Sequence, residues 1–129
     1  MASTINTLRI IVCDDEYLLA DHMAQELAAL GATVIAIVGS VAELEALIES
    51  DHSANAAVLD VELIDGEVYR VVPLLERHGI EIAFCSAYPV SDRPTEFAHI
   101  GWFDKLAPVE NIARALHAAQ GARSEHHNL

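Results

Sequence analysis

At 129 residues and 53% hydrophobic, the chain has enough apolar material for one well-packed domain and too little length for two of ordinary size. Its 20 acidic residues against 7 basic ones leave a net charge of −13 with no basic run, which argues against nucleic-acid binding and favours a protein partner with a basic surface. No apolar run approaches the ~20 residues of a membrane helix, and the opening Met-Ala-Ser-Thr-Ile-Asn-Thr lacks the features of a signal peptide, so a cytoplasmic protein without membrane insertion is expected.

Leu8 to Cys13 predicts a first strand that runs straight into three acids, Asp14, Asp15 and Glu16. From Tyr17 the spacing turns helical, with Leu19, Met23, Leu27 and Leu30 as the apolar stripe and Gly31 as a stop. Thr33 to Val38 predicts the second strand. Ser40-Val41-Ala42-Glu43 then reads as a capping box opening a second helix that buries Leu44, Leu47 and Ile48. Ala56 to Leu59 is small or apolar with no polar alternation, the pattern of a central parallel strand buried on both faces, and it ends at a carboxylate, Asp60.

After Asp65-Gly66 a third helix is predicted to bury Val68, Val71, Val72 and Leu75 and to stop at Gly79, with Pro73 imposing a kink or a late start. Ile80 to Cys85 predicts the fourth strand, ending at Ser86-Ala87-Tyr88-Pro89, and a short fourth helix is predicted between Asp92 and His99. Ile100 to Phe103 predicts a fifth strand leading to Asp104-Lys105. Pro108 suits the first turn of a last helix carrying Val109, Ile112, Ala113 and Leu116 to Gly121. Ala122 to Leu129 reads as a flexible tail, so the single domain of residues 1–129 has its expected core at about 7–121.

Strands alternating with helices in this way imply an α/β fold, a five-stranded parallel sheet with right-handed crossovers and helices on both faces. In the flavodoxin-like order 2-1-3-4-5, strands one and three flank the switch point where ligands collect. The same order puts a strand between Cys13 and Cys85, roughly 9–10 Å of separation, so both read as buried small hydrophobes and not as a disulfide.

Parallel strands present all their C-terminal ends on one edge, so Asp14, Asp15, Asp60, Ser86 and Lys105 are expected to meet there. Carboxylates that close repel one another unless a cation joins them, and hard oxygen ligands favour Mg²⁺ with a position left open for a phosphoryl oxygen. Lys105 is the only lysine in the chain. Its ammonium can pair with a carboxylate before reaction and with a phosphoryl oxygen after it, while the Ser86 hydroxyl donates to the same group. Phosphoryl transfer asks little more of a protein than positioning and charge neutralisation.

This constellation resembles the receiver domain of two-component response regulators, over about residues 7 to 121. The resemblance implies Asp60 as phosphoacceptor, Asp15 as direct Mg²⁺ ligand, Asp14 holding the metal mainly through water, and the Glu62 backbone carbonyl completing the protein ligands. It implies Ser86 in place of the family's switch Thr/Ser and Lys105 as the phosphate-binding lysine. Trp102, three residues earlier, stands where the family usually has Tyr or Phe. Phe84-Cys85-Ser86-Ala87-Tyr88 is similar to the subgroup that carries Phe-Ala-Thr-Gly-Tyr there, with Glu62 and Tyr88 near the path of attacking water and tuning dephosphorylation. Where the family usually places Pro directly after the lysine, Leu106 and Ala107 intervene here before Pro108.

The expectation is therefore a stand-alone receiver, phosphorylated on Asp60 by a sensor histidine kinase or phosphotransfer protein and signalling to a downstream protein by contact, since no output domain follows Gly121. It is not a conventional enzyme, although self-phosphorylation from small phosphodonors and autodephosphorylation are expected. The alternative is a phosphorylation-independent adaptor on the same fold. A Mg²⁺-dependent phosphatase lacks a substrate-holding insertion, and a flavin carrier lacks a Ser/Thr/Gly-rich loop after the first strand.

Overall fold

A computed structural model describes residues 4–50 and 52–127. In chain order, β1 (Arg9–Cys13) leads to α1 (Tyr17–Ala29), β2 (Thr33–Val38) to α2 (Val41–Glu49), and β3 (Ala56–Leu59) to a two-residue hairpin, β4 (Glu62–Leu63) with β5 (Gly66–Glu67). A 3₁₀ turn, Val68–Val71, then runs into α3 (Val72–Arg77), and β6 (Glu81–Ser86), β7 (Gly101–Asp104) and α4 (Val109–His127) complete the chain. The five longer strands form one parallel sheet in the order β2-β1-β3-β6-β7. With the hairpin strands set aside, this is the predicted 2-1-3-4-5 arrangement.

Strand alternation divides the core into two layers. Ile11, Cys13, Ala57, Leu59, Ile82 and Phe84 face α2 and α3, and Ile10, Val12, Ala56, Val58, Ala83 and Cys85 face α1 and α4. The predicted buried positions Leu44 and Ile48 of α2, Val72 and Leu75 of α3, and Ile112, Ala113 and Leu116 of α4 all lie in these layers. Gly79, at φ +72°, ends the α3 segment in the left-handed conformation that glycine supplies without Cβ strain.

Three expectations are corrected. No α-helix forms between Asp92 and His99; two 3₁₀ turns, Val90–Asp92 and Thr95–Phe97, replace it. Pro94 is the reason, because its ring drives the preceding Arg93 into extended backbone (φ −65°, ψ 125°), and the Arg93 guanidinium then donates to the Ile100 carbonyl at 2.6 Å. In α1 the buried residues are Ala20, Ala24 and Leu27, whereas Leu19 is 45% exposed. Met23 and Leu30 of the predicted stripe pack against the core from partly buried positions, and Leu19 does not. The last helix continues through Gly121 to His127, since one glycine costs only about 1 kcal/mol in a helix and Ala122 and Arg123 are good helix formers. The expected tail thus begins six residues inside a helix, and residues 128 and 129 lie outside those described. The late start of the third helix that Pro73 predicts is found: the hairpin and a 3₁₀ turn precede α3, and Pro73 lies in its first turn.

Ser40 caps α2 as predicted, its Oγ accepting from the Glu43 backbone N–H at 3.1 Å, while the return arm of the box reaches one residue further back, the Glu43 carboxylate accepting from the Gly39 N–H at 3.4 Å. A second acid joins it from the hairpin: the Asp65 carboxylate accepts from the backbone N–H groups of Val41 (2.8 Å) and Ala42 (3.0 Å). These bonds hold the Asp65 carboxyl below its ordinary value. The folded state therefore gains stability from ionised Asp65 at neutral pH and loses it as pH falls through the lowered value. Asp65→Asn is expected to lower Tm at pH 7 relative to wild type, with the difference closing in acid; thermal melts from pH 7 to pH 3 check this.

Candidate functional site

Asp14, Asp60 and Lys105 each follow the end of a strand and are tied down by a sheet-type backbone bond. The Asp14 N–H donates to the Val38 carbonyl (3.0 Å), the Asp60 N–H to the Cys13 carbonyl (2.8 Å) and the Lys105 N–H to the Ser86 carbonyl (3.1 Å). Those bonds continue the pairing of β1 with β2, β3 with β1 and β7 with β6 one step beyond each strand. Asp14, Asp15 and Asp60 thereby meet across the switch point, and Glu16 joins them: one carboxylate oxygen from each of the four lies within 4.8 Å of the others.

Lys105 reaches into this cluster. Its Nζ donates to Glu16 Oε1 at 2.8 Å and to Asp60 Oδ2 at 3.0 Å, and stands 3.4 Å from Asp14 Oδ2. Burial pushes the Asp60 carboxyl up to about 6; the hydrogen bond from Lys105 opposes that shift and the Asp14 charge adds to it. Burial disfavours the Lys105 ammonium, yet the bonds to Glu16 and Asp60 outweigh it and hold the group protonated, above its ordinary value. Cys13 and Cys85 lie behind the cluster as free thiols, raised to about 12 and about 11 by burial and by the acids around them, so both are protonated at neutral pH.

Ser86 is buried at the end of β6, where its Oγ accepts from the Tyr88 backbone N–H at 3.0 Å. Tyr88 is half-exposed, and its hydroxyl donates to Glu62 Oε2 at 3.4 Å. The Trp102 indole N–H donates to the Tyr88 carbonyl at 2.9 Å while its ring packs on Phe84 with centroids 5.6 Å apart. The predicted residues thus form two connected groups, the acids with Lys105 and the Ser86–Tyr88–Trp102 loop with Glu62. Leu106, in the two-residue departure after Lys105, is fully out in solvent. Beside it a cavity of about 240 Å³ runs from Asp60 and Lys105 back between α1 and α4, walled by Leu19, Met23, Val58, Cys85 and Val109.

Glu16 is the member that sequence reasoning left without a role. Its signal was present, a third acid directly after Asp14-Asp15, but only the fold shows it turned toward Lys105. The donor set is all carboxylate oxygen, with one ammonium facing four acids, and it fits a hard divalent cation of the Mg²⁺ type.

No protein-family model matches the sequence, and no curated protein matches it in sequence. Solved structures do match. SdrG from Sphingomonas melonis Fr1 is 26% identical, with a TM-score of 0.73 over 88% of this chain and 95% of that one. A CheY-like response regulator receiver domain protein from Methanospirillum hungatei JF-1 is 19% identical, with a TM-score of 0.75 over 92% of this chain and 98% of that one. The response regulator PhyR from Brucella abortus is 23% identical, with a TM-score of 0.73 over 99% of this chain but 57% of its own length. The fold is that of the CheY-like receivers, and these structural neighbours are response regulator receiver domains. Among the described residues, no helix is long and apolar enough to cross a membrane.

Because Asp60 ionises less readily in the folded chain than in the unfolded one, its charge costs stability once pH rises from about 4 through about 6. Asp60→Asn removes that charge and leaves Lys105 with Glu16 and Asp14. The variant is expected to be more stable than wild type at pH 7.5 by on the order of 1–3 kcal/mol, with the gain vanishing at pH 4. Urea denaturation at the two pH values measures both.

Proposed function

We propose that this domain is a phosphoryl acceptor of two-component signalling, with Asp60 as the acceptor. The observation that carries the reading is the Lys105 ammonium 3.0 Å from a buried Asp60 carboxylate inside a four-acid cluster at the switch point of the sheet. An Asp60 oxygen attacks the phosphorus of a phosphohistidine on a sensor histidine kinase or phosphotransfer protein. The new O–P bond forms as the P–N bond breaks, and the imidazole nitrogen keeps that electron pair and takes a proton from solvent. Lys105 shifts from the carboxylates to a phosphoryl oxygen, and the Ser86 hydroxyl donates to another. Water later attacks the same phosphorus, the acyl O–P bond breaks, and inorganic phosphate leaves Asp60 as a carboxylate.

Asp15, Asp14, Asp60 and the Glu62 backbone carbonyl would hold a Mg²⁺ ion. When bound, it supplies positive charge against the acids and the phosphoryl oxygens. Tyr88 and Glu62, bonded to each other at the rim, tune access of the hydrolytic water, and the Trp102–Tyr88 bond ties the rim to the edge strand β7. That edge, with the final helix, is the surface offered to a downstream protein. The reading places the chain in the cytoplasm.

A phosphorylation-independent adaptor is the second reading. It is favoured by Leu106 and Ala107 following Lys105, and by the 3₁₀ turns that replace a helix between β6 and β7.

Incubation with Mg²⁺ and acetyl phosphate is expected to add one phosphoryl group by intact mass to wild type and none to Asp60→Asn, with a Trp102 fluorescence change only in the former. No added phosphate in wild type would move the assignment to the adaptor. Glu62→Asn is expected to change the dephosphorylation rate severalfold while leaving phosphorylation intact, as read by the decay of the phosphorylated mass.

A further inference from the structure

Glu16 occupies the N-cap position of α1, yet its side chain makes no capping bond. A capping side chain would turn back toward its own helix. That of Glu16 instead reaches across to the loop after β7, 89 positions away in sequence, and takes the shortest of the bonds offered by Lys105, at 2.8 Å. The Glu16 backbone is fixed separately, by an Asx-type turn in which Asp14 Oδ1 accepts from the Glu16 N–H at 2.9 Å. Glu16 is also the acid with a side chain mostly in water, 58% exposed against 13% for Asp14 and 9% for Asp60. A carboxylate so hydrated gains least from sharing a buried cation, and a long side chain anchored on an ammonium is already engaged.

From this geometry we infer that Glu16 is a latch on Lys105, a positioning residue that holds the ammonium on the α1 side of the site and slows its transfer to an incoming phosphoryl group. The inference deepens the phosphoacceptor reading and rests on it. A cation held by Asp14, Asp15 and Asp60 would offset their charge and leave Glu16 on Lys105, so the latch sets how readily the lysine is released. An exposed ion pair of this kind contributes modestly, and its removal is expected to speed phosphorylation about two- to fivefold. Because the pair is open to solvent, salt weakens it.

The test is Glu16→Gln, with three readouts. Lys105 is the only lysine, so its modification by an amine-acylating reagent, followed by peptide mass, reports the latch without metal or phosphodonor. Modification is expected to be at least about threefold faster in Glu16→Gln than in wild type; equal rates would overturn the latch. With acetyl phosphate and saturating Mg²⁺, the variant is expected to be phosphorylated faster, and the wild-type rate alone should rise with ionic strength. A slower or unchanged rate also overturns the inference. Mg²⁺ affinity, read by Trp102 fluorescence, should agree within about twofold between the two proteins; a tenfold loss in the variant would make Glu16 a metal ligand instead. Failure of the underlying reading looks different: neither protein gains phosphate, which removes the phosphoacceptor and any rate role for Glu16 while the lysine-reactivity contrast persists.

Discussion

Crowding of negative charge at one end of a parallel sheet is the constraint on which the rest of the site depends. Asp14, Asp15, Glu16 and Asp60 converge within a few ångströms because β1 and β3 are adjacent and point the same way. At such distances their mutual repulsion would open the loops unless something positive lay among them. Within the protein that positive group is the Lys105 ammonium, bonded to Glu16 and Asp60 and close to Asp14. One ammonium against four carboxylates is incomplete neutralisation, and the acids left over are a group that could hold a further cation.

The scaffold keeps this arrangement in place from below. β3 is made of Ala56, Ala57, Val58 and Leu59, all buried, so both helical layers press closely on the strand that carries Asp60. Backbone bonds from Asp14, Asp60 and Lys105 to neighbouring strands fix where the three side chains start. The raised value of Asp60 is the energetic trace of that confinement: the carboxylate is held where water cannot solvate it fully, at a cost in stability that a functional site can carry. Asp65 illustrates the opposite bargain, since its carboxylate stabilises the fold by receiving two free N–H groups of α2 and in doing so anchors the hairpin that follows Asp60.

The far side of the site is built differently from what strand–helix alternation implies. The loop from Ser86 to Ile100 has two 3₁₀ turns instead of a helix; Phe97 and Ile100 anchor it in the core, and individual bonds tie the rest, Tyr88 to Ser86, Trp102 to Tyr88 and Arg93 to Ile100. Ser86 at one end and Trp102 at the other are linked through a single residue, Tyr88. A change in what the Ser86 hydroxyl contacts therefore has a short path to the edge strand.

The sequence by itself determined the alternation of elements, the sheet order and the set of acids, serine and lysine brought to one edge. These are legible because apolar period, caps and stops act over a few neighbouring residues, and because parallel strands must send their ends the same way. It also marked Pro73 and Pro108 as helix-start positions correctly, since a proline ring restricts the backbone wherever it occurs. Only the tertiary structure decided that α1 lies on its alanines instead of on Leu19, that Pro94 cancels a helix, and that Asp65 caps α2. The same holds for the choice of Glu16 as partner of Lys105. Which of several acids a lysine 89 positions away will meet is set by the lengths and directions of side chains after the strands have been placed, and no local pattern encodes that distance.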